Sequence, residues 1–199
     1  MESIRNPMRF AYHTEQRVPY PLSQVFNFFA NPANLPSLMP AWQHARIDSQ
    51  SLTPPPQPSP DASNTPVAGA GSQITLSFRP FPDAPFRLSW DAEIAEFAWN
   101  EHFCDLQLRG PFAYWKHCHS VRRADAPGTE ATLITDDVEY ELPFGMAGQI
   151  AHSIFLQRQI ERTFAFRQTQ LTRILAQVKP EPQPLQVDRI YQTHTPHRP

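Results

Sequence analysis

Tyr114-Trp115-Lys116-His117-Cys118-His119-Ser120-Val121, followed after a turn by Ile134-Thr135-Asp136-Asp137-Val138-Glu139-Tyr140-Glu141-Leu142, is the stretch that decides the fold. In the second segment Thr135, Asp137, Glu139 and Glu141 form one row, and Ile134, Asp136, Val138, Tyr140 and Leu142 the other. A period of two is a strand with unlike faces. The acidic row is the solvent side, so the apolar row faces a core and Asp136 is the one acid within it. The same alternation places Trp115, His117, His119 and Val121 inward, and Tyr114, Lys116 and Cys118 outward. From Phe144 to Val178 the period changes. Ile150, Ile154, Ile160, Phe164, Leu171, Leu175 and Val178 follow three- and four-residue steps, while Arg158, Arg162 and Gln168 can face water. A helix of about 30 residues is about 45 Å long at ~1.5 Å per residue, so it must cross most of a sheet.

Working outward, residues 8–18 alternate as a first strand that ends at Pro19 and Pro21. Leu22, Val25, Phe26 and Phe29 recur at helical spacing, and Asn31, Pro32, Asn34, Pro36 and Pro40 break the next stretch into short turns. Strand patterns continue at 41–50, 72–79, 86–97 (Phe86, Leu88, Trp90, Ala92 and Ile94 on one side), 100–109, 112–123 and 129–142. Gly110-Pro111 and Asp125-Ala126-Pro127-Gly128 supply turns. The order is strand, two short helices, about six strands, one long helix. That order predicts an α+β fold with an antiparallel sheet, one face buried and the other wet. Curling the sheet round the helix leaves a space that is a ligand cavity wherever large side chains do not fill it.

Composition bounds the alternatives. The chain has 199 residues and a formal charge of −2, with 23 prolines against 6 glycines. A single domain is the expectation at this length. Pro54, Pro55, Pro56, Pro58, Pro60 and Pro66 cluster in an insert, and Pro180, Pro182, Pro184, Pro196 and Pro199 in the tail. Proline removes a backbone donor and disfavours helix before it, so 53–70 reads as a flexible insert and 179–199 as a disordered tail around a domain spanning 8–178. The near-zero charge without a basic run excludes a general nucleic-acid binder. No window of about 18 apolar residues suggests stable membrane insertion. Met1 to Arg9 carry charges with no apolar run after them, which predicts a cytoplasmic protein without a secretory signal. Cys104 and Cys118 lack zinc-type pairing, and two reduced thiols on neighbouring strands are expected in a reducing compartment. No Walker loop, dinucleotide fingerprint or nucleophile elbow occurs, so no cofactor is expected.

The inward face carries the candidate chemistry. A tight turn at 125–128 pairs Ala124 with Thr129, which sets Trp115 opposite Val138 and His117 opposite Asp136, within hydrogen-bonding reach. A three-residue loop at Gly110-Pro111 brings Asp105 and Gln107 onto this face, with Asp105 near His117; a two-residue loop turns them outward. Three readings of the cluster stay open. It is a buried polar network that anchors the sheet and lines part of a cavity, or a catalytic pair in which Asp136 orients His117 as general acid or base, or a metal site built on His-x-His with Asp136 or Asp105 as third ligand. No metal is the expectation adopted. Arg158 and Arg162, one turn apart, read as a solvated helix face. Trp42, Trp90, Trp99 and Trp115 suit either core or pocket. His194 and His197 fall in the tail.

A family resemblance rests on Phe10, Thr14-Glu15-Gln16, Pro21, Val25-Phe26, Phe28-Phe29, Asn31-Pro32, Asn34-Leu35, Pro40 and Trp42 at the N-terminus. It continues in Phe103, Asp105, Gln107, Gly110-Pro111-Phe112, Trp115, His117 and His119, then Asp136, Val138, Tyr140 and Leu142-Pro143-Phe144-Gly145, and in Phe164, Phe166-Arg167 and Leu171. In these the chain resembles the SRPBCC proteins, the START-like helix-grip superfamily, in a bacterial branch labelled ligand-binding or cyclase-like. The resemblance implies a helix-grip fold: a seven-stranded antiparallel sheet curled around a long C-terminal helix, with two short helices after the first strand. It also implies a cavity for a hydrophobic or amphipathic, lipid-like small molecule. With the strand faces, this makes Asp105, Gln107, Trp115, His117, His119, Asp136, Val138 and Tyr140 the expected ligand-binding residues, with His117 and Asp136 the catalytic candidates. Non-covalent binding is the preferred function. The alternatives are a cyclase or dehydratase using the His117–Asp136 pair, and an interaction module presenting the proline-rich insert. Either a monomer or a homodimer is compatible.

Overall fold

Pro19 and Pro21 end the first strand where the alternation does, and the chain turns there into a helix before the sheet proper. The computed structural model describes residues 9–57, 66–124, 130–143 and 155–177. Strand β1 is Arg9–Val18, helix α1 is Leu22–Ala30, and two 3-10 turns follow at Pro32–Leu38 and Ala41–Gln43. The Asn31 side chain accepts from the Ala33 N–H at 3.0 Å and starts the first turn, with Pro32 just inside it, where a missing N–H costs nothing. The strands are β2 (Arg46–Ser51), β3 (Gln73–Phe78), β4 (Leu88–Ala98), β5 (His102–Arg109), β6 (Tyr114–Ala124) and β7 (Ala131–Glu141). Helix α2, Gln157–Gln177, follows. All seven strands form one antiparallel sheet in the order β1-β7-β6-β5-β4-β3-β2. This is the helix-grip arrangement.

Several local expectations shift. The strand expected from residue 41 begins at Arg46, because the Ala41–Gln43 turn ends at His44 in the left-handed region (φ 46°). Phe86 does not join the inner row of β4; it is half exposed and meets Phe81 edge-on outside the sheet. Of the long C-terminal helix, 144–154 and Val178 lie outside the described residues, as do the 125–128 turn and the tail with His194 and His197. Of the proline-rich insert, 58–65 lies outside them too, yet both described ends are tied to the body. Ala68 donates to the Ala30 carbonyl at 2.9 Å and the Trp99 indole to Pro56 at 2.7 Å, while Gly69 donates to Thr53 at 3.0 Å and joins the two ends of the insert to each other.

Cys104 and Cys118, expected as thiols, are joined in a disulfide. They are directly opposed across β5 and β6, so period-two alternation on two adjacent strands brings the sulfurs together on the outer face.

The buried side chains form two apolar clusters along the helix. One gathers Phe26 and Ala30 of α1 with Phe103, Val121, Ile134, Leu171 and Leu175. The other gathers Val138, Tyr140, Ile160 and Phe164, with Phe10, Phe112 and Trp115 against them. Between these clusters the inward positions are polar: Asp105 on β5, His117 and His119 on β6, Asp136 on β7 and Arg167 on α2.

Candidate functional site

The polar layer is set by strand register. β6 and β7 pair Ala124 with Ala131, not with Thr129, so His119 is opposite Asp136, His117 opposite Val138, and Trp115 opposite Tyr140. The expected pairings are each off by two residues, because the connection is longer than a tight turn. A shift of two keeps every side chain on its face and changes only its partner. Across β5, Asp105 is opposite His117, so the inward alternative for Asp105 is the observed one. That geometry depends on the Gly110 turn. Gln107 folds its amide over Gly110, donating to the Phe112 carbonyl at 2.8 Å and accepting its N–H at 3.3 Å, and a Cβ at Gly110 would collide with the Gln107 side chain. Gln107 is therefore a turn-closing residue.

Asp136 Oδ1 is the hub of the layer. His119 Nδ1 is 2.5 Å from it and His117 Nε2 is 3.2 Å from it, the latter reaching diagonally. His117 Nδ1 is 3.5 Å from Asp105 Oδ2. Arg167 Nη2 lies 3.1 Å from His119 Nε2 and 3.9 Å from Asp136.

Burial, helped by His117 and Arg167, pushes the His119 imidazole well below its usual range, so it is neutral. The network then assigns its tautomer: Nδ1–H donates to Asp136, and Nε2 accepts from Arg167. Burial alone would raise Asp136, but Arg167 and the hydrogen bonds from the two imidazoles outweigh it and hold the carboxyl well below the carboxylate range. Asp105 goes the other way, raised by burial that His117 and Arg167 only partly offset. Two carboxyls thus flank His117 with opposite shifts.

The layer borders a cavity of about 400 Å³ between the sheet and α2. Its wall is mostly apolar, and Phe29, Ile74, Leu76, Trp90, Phe103 and Phe164 are typical of it. Phe155, 57% exposed and also on the wall, marks the mouth. Of the expected ligand-binding residues, Asp105, Trp115, His117 and His119 line it. Gln107, Asp136, Val138 and Tyr140 do not: Asp136 stands behind the histidines, and Val138 and Tyr140 pack in the second apolar cluster. Of the tryptophans, Trp90 and Trp115 are on the wall.

The family model for polyketide cyclase/dehydrase and lipid transport matches residues 18–168. The chain belongs to that family. This family member has no match among curated protein sequences. Its fold is shared with norcoclaurine synthase from Thalictrum flavum in complex with dopamine and hydroxybenzaldehyde, at a TM-score of 0.57 and 12% identity over 88% of this chain and 91% of that one. It is shared too with Ara h 8.0201, at 0.54 and 11% identity over 86% and 100%. A third is protein Ms6760 from Mycobacterium smegmatis, at 0.52 and 13% identity over 84% and 91%.

Arg167 is the site residue that the strand pattern missed. It follows Ile160 and Phe164 and precedes Leu171 and Leu175 at three- and four-residue steps, so it occupies a core position of α2. A charge at such a position was the available signal. Arg158 and Arg162, one face away, are exposed as expected. Asp105, His117 and His119 each offer a ligating atom, all within 4.8 Å of one another, so they could reach one metal ion. A cation there would face the Arg167 guanidinium, which already supplies positive charge beside the carboxylates.

No helix among the described residues of the family member is long and apolar enough to cross a membrane.

Proposed function

We propose that this protein binds a hydrophobic or amphipathic small molecule, non-covalently, in the cavity between sheet and helix. The observation that carries the reading is the cavity itself: about 400 Å³ of mostly apolar space with Asp105, His117 and His119 converging on one side. Sites of this size with few polar groups are the usual form of small-molecule pockets, in which apolar walls supply desolvation and the polar groups set orientation. Membership of a family that includes lipid transport supports it. A formal charge of −2 supports a small molecule over nucleic acid as partner.

The test is titration with N-phenyl-naphthylamine, an uncharged fluorophore that brightens in apolar sites, on the wild type and on Ala92→Trp. Ala92 is buried on the wall, so the indole fills the cavity. Saturable binding that the filled variant loses while keeping its circular dichroism supports the reading. Absence of binding, or equal binding by both proteins, overturns it.

One observation favours a second reading, an enzyme of the cyclase or dehydratase type. Asp105 and Asp136 flank His117 and are shifted in opposite directions, as acid and base partners are. His117 would then move a proton in the cavity, held by Asp136. His117→Gln should abolish turnover of an identified ligand and leave its binding within about threefold, a split that a purely structural role does not produce.

A further inference from the structure

We propose that Arg167 is the polar anchor for the ligand, and that the cavity therefore takes an amphipathic molecule presenting a carbonyl or carboxylate oxygen from an apolar body. The proposal rests on the ligand-binding reading above and adds the chemical class of what is bound.

Arg167 lines the cavity from α2, with its side chain 11% exposed. Its Nη2 is engaged with His119. Its Nε is buried and finds no acceptor among the described residues. The nearest carboxylate is Asp136, whose Oδ1 is 3.9 Å from Nη2, beyond hydrogen-bond length, and is already served by His117 and His119. The rings of Phe29 and Phe164, centred 4.9 and 5.8 Å from the guanidinium carbon, stabilise the charge but offer no lone pair to an N–H.

A buried guanidinium N–H is ordinarily paired, and five donors in a planar fork match an sp² oxygen. Where Arg167 lines the cavity, a ligand oxygen can supply such an acceptor to the guanidinium. A ligand headed by an ammonium group would meet a like charge at Arg167, and Asp105 on the same wall, raised by burial, is a weak counter-charge for it. Away from Arg167 and its neighbours Asp105, His117 and His119 the wall is mostly apolar, so the head is expected to be carried by an apolar body.

The experiment measures displacement of N-phenyl-naphthylamine by dodecanoate, methyl decyl ketone and dodecylamine, which carry similar chains and different heads. On the wild type both oxygen heads are expected to compete about tenfold better than the amine. In Arg167→Gln that preference is expected to vanish while the fluorophore still binds. Arg167→Met removes both charge and fork while keeping a long apolar stem, so it reads the same loss if the glutamine variant does not fold. Dodecanoate ahead of the ketone would identify a carboxylate ligand, and parity a carbonyl one; either supports the anchor. An amine equal to the oxygen heads on the wild type, or a preference that survives both substitutions, overturns it. Failure of the wild type to bind the fluorophore instead brings down the ligand-binding reading, and is a distinct result.

Discussion

His119 and Asp136 face each other across β6 and β7 with Nδ1 2.5 Å from Oδ1, both side chains almost fully buried, so an imidazole and a carboxylate replace an apolar pair in the middle of the sheet. Both groups have depressed folded-state values, so each contributes stability that is present above its unfolded value and lost as pH falls toward its folded one. The unfolded references are 6.5 and 3.8. Unfolding midpoints in urea should therefore decline in two steps on acidification, the first beginning below pH 6.5 and the second below pH 3.8. His119→Gln should remove the first step and Asp136→Asn the second. Asp136→Ala, which leaves Arg167 buried without its counter-charge, should cost about 3–5 kcal/mol.

Asp105 has the opposite sign. Its folded-state value is raised, so the carboxyl stabilises the fold below its unfolded value and costs stability as pH rises through the folded one. Asp105→Asn keeps the shape and removes the charge. Its thermal midpoint should exceed that of the wild type at neutral pH, with the gap closing on acidification. A lower midpoint at neutral pH would show that the 3.5 Å pairing with His117 outweighs the burial.

The Cys104–Cys118 disulfide closes a 14-residue separation behind the strands that carry Asp105, His117 and His119. Closing a loop of that length stabilises by about 3 kcal/mol in the chain-entropy account. Cys104→Ala/Cys118→Ala should lower the urea midpoint accordingly under oxidising conditions. Under a strong reductant the wild type and the double variant should converge.

Trp90 and Trp115 meet at 5.1 Å between ring centres on the cavity wall, while the Trp99 indole is committed to Pro56 outside it. An apolar ligand should therefore change tryptophan emission through the first two. Trp90→Phe combined with Trp115→Phe should remove the change; Trp99→Phe should leave it. Retention in the double variant would move the ligand away from this wall.

Much of the site is legible along the chain because strand alternation is a local property. Ile134, Asp136, Val138 and Tyr140 have to share a face once Asp137 and Glu139 are on the other. The partner of each is not legible, since it depends on how many residues the 124–131 connection holds. The same pattern does not separate Trp115, on the cavity wall, from Tyr140, packed beside it, because both face inward. Alternation does place Cys104 and Cys118 on adjacent strands, but whether their sulfurs meet depends on the β5–β6 register. Phe86 escapes the pattern because its alternation runs on past the true start of β4 at Leu88.

By itself, the sequence determined the element order, the inward faces and the presence of a lone acid among apolar neighbours, all consequences of backbone period and proline placement. Tertiary structure alone decided that His119 rather than His117 opposes Asp136, that Asp105 turns inward, and that Arg167 closes the layer from the helix. Those are distances between segments far apart in the chain. They are set by turn length and by the packing of α2 on the sheet, and no local pattern encodes them.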